Sequence, residues 1–150
     1  MIVRHAPRTA ASTGLTPAQL VLAKAMKEED GRGSLLSNVL DLAARQGVKT
    51  AHFRKARAAD RNGKSRFITP VQADGKGFPD LVLVGTDGVL YRELKAWSGR
   101  LSPEQEMWGE CLTLAGASWK VWTPEHWFNG DVGREIATIS GGACNGCPAH

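Results

Sequence analysis

Cysteine is scarce in this chain. Cys111, Cys144 and Cys147 are an odd number in 150 residues, and with no secretory features around them they argue against a disulfide framework. No apolar run approaches the ~20 residues that a transmembrane helix needs, and the N-terminus lacks the apolar core of a secretory signal. These absences point to an intracellular protein with no membrane partner. No internal repeat is visible. The length is that of about one domain, long enough to bury a real core. Hydrophobic and charged fractions of 42% and 23% are ordinary for a soluble globular protein.

Acidic residues are also nearly missing from one stretch. Between residues 45 and 66, Arg45, Lys49, Arg54, Lys55, Arg57, Arg61, Lys64 and Arg66 stand against Asp60 alone, giving +7 where the whole chain carries +4. The remainder is therefore acidic. Basic charge gathered in one segment is expected of a surface that neutralises phosphates and releases counterions. The bland alternative is a solvated loop.

The patterning is that of an α/β domain. Residues 1–14 are polar and irregular. Thr16-Pro17 opens a helical stretch to about Asp30 that reads as an appendage. A second helix, from about Ser34 to Gln46, places Leu35, Val39, Leu42 and Ala43 on one face and stops at Gly47. Val48 to Phe53 is a strand candidate, and residues 56–76, with little periodicity, read as a long loop. Leu81–Val84 and Val89–Leu94, separated by Thr86-Asp87-Gly88, read as a hairpin. Ser102-Pro103-Glu104-Gln105 starts a helix with Ser102 as N-cap and Gln105 completing a capping box, closed by Gly116. Trp119, Val121 and Trp122 make another strand. Thr123-Pro124-Glu125 begins a short helical turn before a weakly patterned end. Cys111 is expected in the core.

The hairpin carries the chemistry. Folding it brings Asp80 towards Glu93, and alternation along the strand projects Glu93 and Lys95 on one side. Two carboxylates and an amine then share a pocket. Hard cations such as Mg2+ are commonly held by one or two carboxylates, with water and substrate phosphate completing the shell. Such an ion activates water, and a neighbouring lysine orients that water or neutralises a developing oxyanion. The alternative is a surface ion pair on a hairpin, worth little.

Pro79-Asp80 followed by Glu93-Leu94-Lys95 resembles the PD-(D/E)XK nuclease signature. With GFPDLVLV ahead, and with Gly99 to Gln105, Trp108, Gly116 and Trp119 to Pro124 behind, the chain resembles the VRR-NUC family of nuclease modules over roughly residues 34–128. The resemblance implies a restriction-endonuclease-like core, a central mixed β-sheet flanked by helices, here with an extra N-terminal helix. It divides the chain into an extension over 1–33, a nuclease domain over 34–128 and a tail over 129–150. It implies Mg2+ or Mn2+ held by Asp80, Glu93 and the Leu94 backbone carbonyl, with Asp80, Glu93, Lys95 and Gln105 catalytic. It further implies branched DNA such as a Holliday junction as substrate, a homodimer, and the cytoplasm of a bacterial or phage-infected cell. One departure stands out. The family's acidic residue on the first core helix falls near Arg32, and Glu29 is the candidate to replace it.

Phosphate or DNA contacts are assigned to His52, Arg54, Lys55, Arg57, Arg61, Lys64 and Arg66. His52 is given no catalytic role, since a lone histidine is more often a packed, hydrogen-bonded residue, and the alternative for Gln105 is a helix cap. Trp97 is the candidate for stacking on bases; the other tryptophans are expected mainly in the core. Cys144 and Cys147, with His150, have the spacing of half a zinc site, or belong to a frayed tail. Other functional readings are a flap or nicking nuclease acting as a monomer, a weakly catalytic DNA-binding relative, and a structural α/β domain.

Overall fold

The computed structural model describes residues 10–53, 56–59, 62–68 and 73–141. Its elements run α1 (Ala10–Thr13), α2 (Pro17–Ala25), α3 (Leu35–Arg45), β1 (Lys49–His52), β2 (Ala56–Ala59), β3 (Ser65–Ile68), β4 (Leu81–Gly85), β5 (Gly88–Leu94), α4 (Pro103–Leu114), β6 (Ser118–Trp122), α5 (Pro124–Phe128) and α6 (Asp131–Ser140). Four strands form a mixed sheet in the order β1-β4-β5-β6. β1, β4 and β5 are antiparallel neighbours, and β6 lies parallel to β5. A parallel pair needs a crossover connection, and α4 is that crossover. The fold is α/β, with helices flanking a mixed sheet.

Strand alternation assigns the two faces. Trp122 joins Leu81, Leu83, Leu90 and Leu94 in a core closed by Leu35, Leu36, Val39 and Ala43 of α3 and by Val132, Ile136 and Ile139 of α6. Trp119, three residues earlier on β6, points to the opposite face and meets α4. Its ring lies where a side chain on Gly109 would be, 2.7 Å from an ideal Cβ, so a glycine on α4 lets helix and strand close together.

The caps explain where the helices begin. Thr16 and Gln19 form a reciprocal capping box at α2, as Ser102 and Gln105 do at α4, each followed by proline at the first turn. Ser34 caps α3 by accepting from the Ser37 N–H at 3.1 Å. α2 ends at Ala25, short of the expected Asp30, because Met26 turns extended with ψ 125°. The helix is tied to the domain all the same: Ala23 is fully buried and Met26 packs on the core. The Lys27 and Glu28 carbonyls then accept from Leu35 and Leu36 at 2.8 and 3.0 Å, which fastens residues 27–28 to the start of α3.

Three expectations change. The long loop over 56–76 contains a two-stranded antiparallel ribbon, β2–β3, with Ala56 opposite Ile68 and Ala59 opposite Ser65. Cys111, expected in the core, is exposed on α4. The weakly patterned end supplies α6, a full core helix.

α6 is held by a polar cluster as well as by its apolar face. The buried Arg92 guanidinium donates to Glu135 Oε2 from Nε at 3.0 Å and Nη2 at 2.8 Å, and from Nη1 to the Ser118 carbonyl at 2.6 Å. Trp122 Nε1 also donates to Glu135 Oε2 at 3.0 Å, Lys120 Nζ reaches Oε1 at 2.8 Å, and Arg92 lies 5.0 Å over the Trp122 ring. Burial lowers the Arg92 pKa, and the Glu135 charge opposes that shift. The cluster knits β5, β6 and α6 together.

Candidate metal centre

Asp80 stands one residue before β4, where the register that pairs Leu81 with Arg92 continues to Asp80 opposite Glu93. The sequence GFPD holds it there. Gly77 has φ +83°, and an added Cβ would lie 2.6 Å from the Glu104 carbonyl carbon, so no side chain fits between this turn and the start of α4. The Phe78 ring meets Phe53, Trp108 and Tyr91 edge-on at 5.2, 5.1 and 6.2 Å. Trp108 Nε1 returns to the same turn through the Asp74 and Lys76 carbonyls at 3.0 and 3.1 Å, and Lys76 pairs with Glu104. Gly77→Ala is therefore expected to cost about 1–3 kcal/mol from left-handed backbone and overpacking. It should also displace Gln105 and Asp80 together. Denaturant unfolding measures the first effect, and divalent-cation affinity the second.

The three charged residues of the hairpin converge in the interior. Asp80, Glu93 and Lys95 are 4%, 1% and 7% exposed, which removes the reading as a solvated surface pair. Asp80 Oδ2 accepts the Leu94 N–H at 2.8 Å. In a strand the N–H and C=O of one residue leave on the same side, so the Leu94 carbonyl is directed to the same edge. Lys95 Nζ donates to Glu93 Oε1 at 2.6 Å, and Gln105 Nε2 donates to that same oxygen. Gln105 Oε1 meanwhile accepts the Ser102 N–H at 2.9 Å. Gln105 is thus both helix cap and site residue, one end of its amide serving each role.

Glu93 Oε1 is saturated by these donors, whereas Oε2 is buried with no hydrogen-bond partner among the described residues. Burial, and then the charge of Asp80, push the Glu93 carboxyl up to about 8 against the opposing pull of Lys95. Two adjacent buried carboxylates of this kind are reconciled by a proton or by a cation.

Further carboxylates arrive from ahead of α3. Gly31 and Gly33, at φ +84° and +77°, turn the chain between α2 and α3, and Arg32 faces solvent. Glu28 and Glu29 are instead brought to Asp80, each of the three carboxylates offering an oxygen within 4.8 Å of the others. Glu28 Oε2 also accepts the Ala96 N–H at 3.0 Å, linking this turn to the residue after Lys95. Sequence reasoning reached Glu29 but not Glu28. The only signal was that acids precede the first core helix, because a non-periodic turn gives no rule for which side chain faces inward. A group of all-oxygen donors with a buried, unpartnered Glu93 oxygen beside it fits a hard divalent cation.

The expected DNA contacts are spread differently. Arg57 and Arg66 occupy neighbouring rungs of the β2–β3 ribbon, and Lys64 is exposed in its turn. Arg54, Lys55 and Arg61 lie outside the described residues, as do Cys144, Cys147 and His150. His52 is half-buried at the end of β1, its Nε2 3.9 Å from Glu29 Oε1. Trp97 is half-buried just beyond β5, and His126 Nδ1 accepts from the Thr123 N–H at 3.0 Å as a cap for α5.

No family model, curated protein or solved structure matches the chain. Among the described residues, no helix is long and apolar enough to cross a membrane.

Proposed function

We propose that this protein is a divalent-metal-dependent DNA endonuclease with a restriction-endonuclease-like core, acting on branched DNA as a homodimer. The observation that carries the proposal is the Glu93 carboxylate: buried beside Asp80, held through Oε1 by Lys95 and Gln105, and with Oε2 unpartnered among the described residues. Asp80 with Glu28 and Glu29 would hold Mg2+ or Mn2+, with Glu93 beside Asp80 and the Leu94 carbonyl at the same edge as the further ligands. When bound, the ion lowers the pKa of a water and offsets charge on the scissile phosphate.

The side chains do the rest. Lys95 has three N–H donors and among the described residues uses one, on Glu93; the others would serve the attacking water or a phosphate oxygen. Gln105 acts as a positioning residue, fixing Glu93 rather than touching Lys95. The basic segment between residues 45 and 66 supplies phosphate neutralisation, with the β2–β3 ribbon presenting part of it.

The test is cleavage of labelled four-way junction, flap and linear duplex with Mg2+ or Mn2+. The junction is expected to be cut preferentially, and Lys95→Ala to lower the rate by roughly 10²-fold or more while DNA binding persists. Cutting confined to flaps or linear DNA would replace the substrate assignment. Binding without any cutting would make the protein a DNA-binding relative.

A further inference from the structure

The chain leaves β5 through a tight turn that doubles back over Lys95. The Lys95 N–H donates to the Trp122 carbonyl at 3.0 Å, and the next N–H, that of Ala96, is held by Glu28 Oε2 at 3.0 Å. The Gly99 N–H then returns to the Ala96 carbonyl at 2.9 Å, which closes the turn. Lys95 is fixed at its far end too, where Nζ donates to Glu93 Oε1 at 2.6 Å. Backbone and ammonium are thus both tied, in a residue only 7% exposed.

Gly99 lies against the stem between those ties. An ideal Cβ on it would stand 3.1 Å from both Cβ and Cδ of Lys95 and 3.3 Å from the Ala96 nitrogen. Carbon atoms ordinarily rest about 3.5–4.0 Å apart, so a side chain here must push the stem aside. Gly99 is not among the glycines with positive φ, and the position is exposed. Neither a left-handed backbone nor burial in the core therefore calls for glycine. At an ordinary φ, alanine would restrict the unfolded chain and favour folding. The close approach of the Lys95 stem is the one demand on this position that the described residues show.

We propose that Gly99 is a positioning residue for Lys95: its missing side chain leaves the space in which the lysine stem runs, and so sets where Nζ stands. The assignment rests on the nuclease reading above, in which that ammonium meets the attacking water or a phosphate oxygen. Relief of the overlap at Cδ needs a shift of about 0.4 Å, and Nζ, two bonds further on, moves with it. A misplacement of about 1 Å can cost roughly 10²-fold in rate. Gly99→Ala is therefore expected to slow the chemical step about tenfold without weakening the binding of DNA or metal.

Gly99→Ala, Lys95→Ala and the double variant provide the test, as full chains with Mn2+ and whichever of labelled junction, flap and duplex the wild type cuts. The single-turnover rate of Gly99→Ala should fall about tenfold, with Kd for DNA and for Mn2+ changed less than twofold. In 13C-lysine-labelled protein the Lys95 Cε resonance, identified by its absence in Lys95→Ala, should shift in Gly99→Ala. In the Lys95→Ala background, which keeps Cβ and lacks Cδ, the same substitution should cost less than twofold. A tenfold loss in both backgrounds would show a structural role and overturn the assignment of Gly99. An unmoved Lys95 resonance would overturn it equally, and either result leaves the nuclease reading standing. A wild-type protein that cuts none of the three substrates would overturn both.

Discussion

Glu93→Gln is expected to abolish metal-stimulated cleavage, by roughly 10³-fold or more, and yet to stabilise the metal-free protein at alkaline pH. The two effects share one cause. Glutamine keeps the carbonyl oxygen that accepts from Lys95 and Gln105, while its amide donates where Glu93 Oε2 confronts Asp80. The repulsion is removed, and with it the anionic donor for a cation. The pH dependence fixes the sign. The folded Glu93 carboxyl is raised from 4.5 to about 8, so between these values the native state holds a proton that the unfolded chain has released. Stability from this group is fully present below pH 4.5 and is lost as pH rises through 8. The slope is up to about 1.4 kcal/mol per pH unit for one proton. Denaturant unfolding in chelator at pH 5 and pH 9 should therefore show wild type losing ground to Glu93→Gln by up to a few kcal/mol. Saturating Mn2+ should flatten the wild-type slope, because the ion holds the carboxylate ionised. A stability difference that does not change with pH would remove the carboxylate pair from the account.

Glu135→Ala is expected to be the most destabilising single change outside the core, costing about 3–5 kcal/mol. It strands the Arg92 guanidinium, 1% exposed, and leaves the Trp122 N–H without its acceptor. The loss is that of an uncompensated buried charge rather than of the ion pair itself. Arg92→Met combined with Glu135→Leu should accordingly recover most of it, since apolar residues of similar volume often replace a buried pair at little cost. Unfolding midpoints of the single and double variants decide this. A single variant within about 1 kcal/mol of wild type would show that α6 is held by Val132, Ile136 and Ile139 alone.

That cluster also marks where the sequence was hard to read. Local rules served wherever a local bond was the cause: the Ser102–Gln105 capping box, the Ser34 cap, the paired apolar runs around Thr86-Asp87, and the face of α3. They also brought Asp80, Glu93 and Lys95 together, because the register of a short hairpin is fixed by its turn. α6 was missed although Val132, Ile136 and Ile139 have helical spacing. Gly130, Gly133 and Gly141 break up the segment, and the partner that explains Glu135 lies 43 positions away on β5. The β2–β3 ribbon lacked apolar alternation, and its one signal was Asn62-Gly63, a turn dipeptide. Of the acids ahead of α3, Glu29 was picked out and Glu28 was not. Counting along a helix put Arg32 at the expected position, but Gly31 and Gly33 turn the chain before α3 begins, and both carboxylates arrive from the turn.

His52 shows the complementary case. Its position beside a basic run groups it with the phosphate contacts; in the fold it is half-buried at the end of β1, with Nε2 3.9 Å from Glu29 Oε1. One-dimensional neighbours and three-dimensional neighbours differ most at the ends of strands, where this centre is assembled.

The most direct test of the central claim is the rate at which labelled four-way junction is cut as Mn2+ is added from zero, for wild type and for Asp80→Ala at equal bound DNA. Cutting that rises and saturates with Mn2+ in wild type, and stays at background in Asp80→Ala, is the expected result. Cutting that is indifferent to Mn2+, or that survives the loss of Asp80, would contradict a metal-dependent nuclease centred on that carboxylate.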